Sequence, residues 1–243
     1  LFRGEGGSSL RKIDSCSELI FQQTKDLFHH SIETDIDKNI WIPSHIHPQS
    51  LPKKMVGRDY VENNGYRDDA IVKMSPNGEI LYEKSVSEIF IDNDLNYLLF
   101  SIGGKYFKND PIHLNDIQPV NFDGKFWKKG DVFLSLRNQS MVLLYRPSIN
   151  KIIWKGLGRY NYQHDVDILD DSRIVVFNNN VKDFHSGRTV DGNSEVIIYD
   201  FETDEYSYYL AESMKENEVR TTTQGRSEIL PNGDLLVEET NFG

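Results

Sequence analysis

The chain has 243 residues, 38% hydrophobic and 27% charged, enough for one large domain or two small ones with an ordinary core. Its 27 Lys and Arg against 38 Asp and Glu give a net charge of −11, which argues against wholesale attraction to nucleic acid or an anionic membrane, so any anion must be caught locally. The single cysteine, Cys16, excludes an internal disulfide and every multi-cysteine zinc or iron–sulfur site. Aromatic residues make up 12% of the chain, and Val, Ile and Tyr cluster in short runs, a composition that favours an all-β class. Runs such as Met141–Tyr145 and Glu195–Tyr199 are far shorter than the roughly 20 residues that span a bilayer. The start, Leu1-Phe2-Arg3, has neither an initiator Met nor a basic-then-apolar signal pattern and reads as that of a mature or trimmed piece.

In chain order, residues 1–27 form an N-terminal segment of opaque role, within which Ser17–Phe28 fits a helix or an entering strand. Strand, acidic turn and strand then follow in Ser31–Ile42, and the same grammar returns in Asn115–Val120 with Asp131–Leu136, in Asp165–Phe177 and in Ser227–Val237. Between these lie hairpins of a second kind, Ala70–Tyr82, Met141–Trp154 and Glu195–Tyr208. Two hairpins make a four-stranded unit, and such units recurring at roughly 50 residues predict a β-propeller over 28–243, with a β-sandwich as the alternative. About three and a half blades are recognisable, too few to close a ring comfortably, so the chain is expected to be part of a longer propeller.

The first hairpins place histidines at one register. His30 lies ten residues before Ile40, and His164 lies ten before Ile174. His113 holds that place in the second copy, whose turn is lengthened around Phe122–Trp127, and Gly225 holds it in the fourth. Because hairpin strands are antiparallel, the far ends of the second strands return to the same face, bringing His45, Arg137, Asn179 and Thr240. The channel mouth is therefore expected to carry His30, His113, His164, Arg137, Asn179 and His45, with Asn115 just inside. These groups suit a tetrahedral oxyanion, since Arg offers a planar fork of donors, Asn a neutral donor, and His a donor or a nucleophile.

The segments Asp110-Pro-Ile-His-Leu-Asn-Asp-Ile117, Phe133-Leu-Ser-Leu-Arg-Asn-Gln-Ser140 and Gln163-His-Asp-Val-Asp-Ile-Leu169 resemble the bacterial arylsulfotransferase (aryl sulfate sulfotransferase) family. So do Val175-Val-Phe-Asn-Asn-Asn180, Phe28-His-His-Ser-Ile32 and Gly225-Arg-Ser-Glu-Ile-Leu-Pro-Asn-Gly-Asp234. His-x-Asn, Ser-x-Arg and Gln-His are specific when all three occur in order on repeated hairpins, and the resemblance runs from about residue 28 to the end.

The resemblance implies a six-bladed propeller enzyme of the periplasm or cell surface that moves a sulfuryl group from one phenol to another without a nucleotide sulfate donor. Its partners would be a small aryl sulfate donor and a phenolic acceptor, with no cofactor, no metal and no nucleic acid, and a homodimer is compatible with it. Carried over by motif, His164 would be the nucleophile, His113, Asn115 and Arg137 would bind and polarise the sulfuryl oxygens, and His30 would assist, with His29 competing for that role. His29, His45, Asn115 and Asn179 are the expected substrate-binding groups. Tyr160, Tyr162, Trp41 and Phe184 are loose candidates for the walls of an aromatic site, although packing between blades is the better reading of them. Chain length and the lone cysteine depart from longer members, since no active-site loop disulfide can form. His45 and His47 raise a metal-dependent hydrolase as an alternative, with His30, His113 and His164 as ligands and Asp165 in support. A non-catalytic binding scaffold is the third reading.

Overall fold

The computed structural model describes residues 8–51, 66–100, 110–184 and 187–240. The chain is an all-β propeller whose described part comprises three antiparallel sheets of four or more strands and two further hairpins. The first sheet holds β1 (Ser8–Ile13), β2 (Leu19–Phe28), β3 (Glu33–Thr34), β4 (Ile40–His45), β5 (Asp69–Met74) and β6 (Ile80–Ser85). Its order is β1-β2-β4-β5-β6, with β3 paired to β4. The segment ahead of residue 28 is thus a hairpin that continues the first blade, and Ser17–Phe28 resolves to a strand rather than a helix. Leu10 and Phe28 pack there against Ile40, Ile42, Val72 and Met74.

The second blade comprises β7 (Leu114–Pro119), β8 (Val132–Leu136), β9 (Met141–Arg146) and β10 (Lys151–Leu157), adjacent in that order. The third has β11 (His164–Ile168), β12 (Arg173–Asn178), β15 (Glu195–Asp200) and β16 (Glu205–Tyr208). A small inserted hairpin, β13 (Val181–Phe184) with β14 (Gly187–Val190), separates β12 from β15. The last hairpin is β17 (Arg226–Ile229) with β18 (Leu235–Glu238).

Each turn has a local cause. In the first blade Asp35 Oδ1 accepts the backbone N–H groups of Asp37 and Asn39, and Oδ2 accepts the indole N–H of Trp41, so one carboxylate closes the β3–β4 turn and ties it to the core. Among the described residues, three short α-helices lie outside the repeat grammar: α1 (Val86–Asp92), α2 (Tyr97–Phe100) and α3 (Ala211–Glu216). The side chain of Ser85 caps α1 by accepting the N–H of Glu88. These helices follow outermost strands and fill the wedge between diverging blades.

Blades stack face to face, which is why their middle strands read as unbroken apolar runs. All five residues of β8 are buried. Leu134 and Leu136 face the first blade, with Ile71 and Trp41, while Phe133 joins Val166, Ile174 and Val176 of the third. Val175 and Phe177 in turn cover the last hairpin side, with Met214 of α3. The innermost strand β7 packs beside β4 on one side and β11 on the other, so the first residues of β7 and β11 and the last of β4 gather at one end of the axis. None of the helices among the described residues is long and apolar enough to cross a membrane.

Candidate active site

Irregularities of the innermost strands aim the side chains. β2 ends at Phe28, opposite Ser44, and β3 resumes at Glu33, opposite Trp41, so residues 29–32 interrupt one edge of β4. His30 there has φ of +58°, and His113, just before β7, has +55°. A left-handed backbone is uncommon for a non-glycine residue, and finding it at both histidines shows one local design used twice. Bulges follow at Leu114/Asp116 and at His164/Val166, and a bulge re-aims the residues beside it. The outcome is convergence: the His30 ring centroid lies 5.0 Å from that of His113 and 6.2 Å from that of His164.

His164 is 5% exposed and fully hydrogen-bonded. Asn179 Nδ2 donates to the carbonyls of Thr221 and Gln224, which fixes the opposite end of that amide as oxygen. This Oδ1 lies 2.7 Å from His164 Nδ1, so Nδ1 carries the proton and Nε2 the lone pair. The Gln224 N–H, 3.2 Å from Nε2, agrees with that tautomer. Burial lowers the His164 pKa to about 3, with the Arg137 charge adding to the effect, so the ring is neutral across the ordinary pH range.

Arg137 is 3% exposed, and its guanidinium lies over the Tyr162 ring, 4.5 Å from the centroid. Nη1 donates to Asn138 Oδ1, whereas Nη2 has no hydrogen-bond partner among the described residues and no described carboxylate lies within ion-pairing distance. Burial, helped by Arg188, lowers its pKa to about 10, still far above neutral. A buried cation without a counter-charge is costly, and an anion of the right shape would relieve that cost.

His113 Nδ1 is 2.6 Å from Asp110 Oδ2, so the imidazole donates to the carboxylate and leaves Nε2 for the ring. His30 Nδ1 is 2.7 Å from His29 Nδ1, and burial together with the surrounding imidazoles lowers the His30 pKa to about 2. His29 turns the other way, towards His45, at 4.2 Å between centroids, and towards the buried Asp69.

A family model described as Arylsulfotransferase (ASST) matches residues 2–243. The chain belongs to the arylsulfotransferase family. The match extends through the N-terminal hairpin that the motif resemblance had left out. Comparison with curated proteins gives no match. Among solved structures, a protein of unknown function from Bacteroides caccae shares the fold at 12% identity and a TM-score of 0.53, over 94% of this chain and 63% of that one. The Dos1 propeller (12% identity, TM-score 0.48) and a streptogramin B lyase (10%, 0.45) are also similar, over 93% and 98% of this chain and 46% and 64% of theirs. The arylsulfotransferase-family chain thus spans less than two thirds of the length of each of these structures.

Of the residues expected at the mouth, His30, His113, His164 and Arg137 come together in this arylsulfotransferase-family protein. Others are occupied differently. Asn179 spends both ends of its amide on His164 and backbone carbonyls, so the expected substrate-binding role gives way to positioning. His29 has its two nitrogens turned to His30 and Asp69, and His45 Nε2 faces Asp69 at 3.3 Å, which removes both from the oxyanion ring. Asn115 donates to the Gln163 carbonyl, and its Oδ1 is buried without a partner among the described residues. Trp41 and Tyr160 are core residues, Tyr162 borders the site, and the Phe184 side chain lies outside the described residues. The ligand set of the metal-hydrolase alternative is not assembled, and Asp165 accepts the Ser227 N–H instead. Sequence reasoning passed over Asp110, Gln163, Gln224 and Asp69. Asp110 stands three residues before His113, a signal available in the sequence; Gln224 acts through its backbone, which no side-chain pattern reveals.

Proposed function

We propose that this chain transfers a sulfuryl group from a phenolic sulfate ester to a phenolic acceptor through a sulfohistidine at His164. The observation that carries the reading is the buried Arg137 guanidinium, with Nη2 unpartnered, beside an imidazole held neutral with its lone pair on Nε2. In the first half-reaction Nε2 attacks sulfur, the N–S bond forms, the S–O bond to the aryl oxygen breaks, and phenolate leaves. The Nδ1 proton stays where it was, now on a cationic ring whose N–H points at Asn179 Oδ1. As charge spreads over the nonbridging oxygens, Arg137 Nη2 and the N–H of Gln224 supply donors, the latter exchanging the nitrogen lone pair for an oxygen. Phenolate is a fair leaving group, so no strong acid is needed at its oxygen.

In the second half-reaction the acceptor hydroxyl loses its proton to a ring imidazole, its oxygen attacks sulfur, and the N–S bond breaks, restoring neutral His164. His113 suits the proton acceptor, because Asp110 accepts its Nδ1–H and leaves the Nε2 lone pair open to the site. Two covalent half-reactions give ping-pong kinetics. A periplasmic or cell-surface setting follows from the resemblance alone. The test is incubation with 4-nitrophenyl sulfate and phenol: nitrophenolate release, with phenyl sulfate formed and a sulfuryl mass found on the His164 peptide, is the expected result. Absence of release by the wild type overturns the proposal and favours an inert binding scaffold, whereas undiminished release by His164→Ala overturns the sulfohistidine at His164.

A further inference from the structure

We infer that His29, His45 and Asp69 form a binding site for one divalent transition-metal ion of the zinc class, set directly behind the histidine ring. The inference does not depend on sulfuryl transfer. The three residues come from adjacent strand positions: His45 pairs with Asp69 across β4 and β5, and His29 follows β2, whose Leu27 pairs with His45. One ligand atom from each lies within 4.8 Å of the others, and all three residues are buried. Rigid strands therefore hold a two-imidazole, one-carboxylate set facing inward.

Asp69 stands from each imidazole at the spacing of ligands rather than of hydrogen bonds. Asp69 Oδ1 lies 3.5 Å from His29 Nε2 and 3.3 Å from His45 Nε2. Direct N–H···O bonds peak at about 2.9–3.0 Å. Two ligands each about 2.0–2.1 Å from a tetrahedral zinc ion stand roughly 3.3–3.4 Å apart. His29 Nε2 and Asp69 Oδ1, both belonging to side chains more than nine-tenths buried, have no hydrogen-bond partner among the described residues. No described Lys or Arg pairs with Asp69, so the Oδ1 of a wholly buried carboxylate faces two imidazoles and no fixed cation. An ion between them completes all three groups.

The surrounding bonds have the form of an outer coordination shell. Asp69 Oδ2, the oxygen turned away from the imidazoles, accepts the backbone N–H of His113 at 2.9 Å. A metal on His29 Nε2 would require the proton on Nδ1, which would then donate to His30 Nδ1 across 2.7 Å. His30 would consequently present Nε2–H, a donor, to the ring. The ion is thus assigned a positioning role, fixing the tautomer of one ring member and the backbone of another.

The test uses the full chain, stripped with a chelator and titrated with Zn²⁺ by calorimetry, with Co²⁺ as a spectroscopic probe. One zinc per chain, and the intense visible absorption of four-coordinate Co²⁺, are expected. His45→Ala should bind zinc more weakly by at least the 10–100-fold that loss of even an outer partner causes, while His164→Ala should bind like the wild type. Because Asp69→Asn also disturbs the His113 amide contact, His45→Gln serves as the second ligand variant, with circular dichroism verifying the fold. No stoichiometric zinc uptake by the wild type, or unchanged affinity in folded His45→Ala and His45→Gln, overturns the inference and leaves an ion pair between Asp69 and the two imidazoles.

Discussion

Asn179 stands behind His164, its Oδ1 2.7 Å from the imidazole Nδ1, and the rest of its amide is bound to the carbonyls of Thr221 and Gln224. An acceptor fixed in this way selects the tautomer that exposes the Nε2 lone pair. Replacing Asn179 by Ala removes the hydrogen bond to His164, worth about 1–3 kcal/mol at a buried site, together with the two that hold the amide in place, so kcat should fall roughly 10–100-fold with little change in KM. Asn179→Asp should restore part of the loss, because a carboxylate oxygen also accepts. Steady-state kinetics on an aryl sulfate checks this, and an equal rise in KM would identify Asn179 as a substrate contact instead.

Arg137 should act on the transition state more than on the bound donor. Arg137→Ala is expected to lower kcat by about 10²–10³, the usual cost of one oxyanion donor. Arg137→Lys should recover only part, because an ammonium supplies neither the planar fork nor the stacking on Tyr162. An equilibrium readout is available as well: inorganic sulfate should raise the Tm of the wild type and leave that of Arg137→Ala nearly unchanged.

The pH profile follows from the His164 environment. Burial, with the charges of Arg137 and His113 adding to it and the Asn179 hydrogen bond only partly opposing it, keeps the imidazole neutral until the pH approaches about 3. Loss of nucleophile should therefore not appear near the ordinary histidine value of about 6.5. Stability carries the same signature. Unfolded His164 takes up its proton below about 6.5 and folded His164 only near 3, so its contribution falls as the pH drops through that window. Comparing acid unfolding of the wild type with that of His164→Gln checks it, the variant being less sensitive.

Further down the axis the opposite sign applies. Burial raises the pKa of Glu33 and Asp167 to about 7 and of Asp165 to about 8, with Asp116 adding to each, and Arg226 counters only partly. These carboxyls hold protons that the unfolded chain releases near pH 4, so stability declines as the pH rises towards 8. Asp167→Asn should raise Tm at pH 8 and change it little at pH 4, at about 2–4 °C per kcal/mol for a domain of this size. Equal effects at both pH values would refute the electrostatic origin.

The alternation of hairpins was legible because period-two patterning and Asp-Asp or Pro-Asn-Gly turns are local properties, and they set strands such as β8 and β12 within a residue or two. Helices α1 and α3 were not, since they are short, sit outside the repeat and owe their stability to packing of Phe90 and Met214 between blades. Within the site, the convergence of His30, His113 and His164 was readable from register. The separation of His29 from His30 was not, because it depends on a left-handed φ at one residue. Asp69 lay hidden for a different reason: it begins the third strand of its blade, and only the cross-strand pairing with His45 brings it to the axis.

The break between Phe28 and Glu33 has a mechanical result. One peptide bond joins an imidazole lodged beside Asp69 to an imidazole facing His113 and His164, so the two are displaced together. A ligand that tilts the first blade by a fraction of an ångström would swing both rings about the same pivot, and occupancy of the inner nook would be felt at once among the converging histidines.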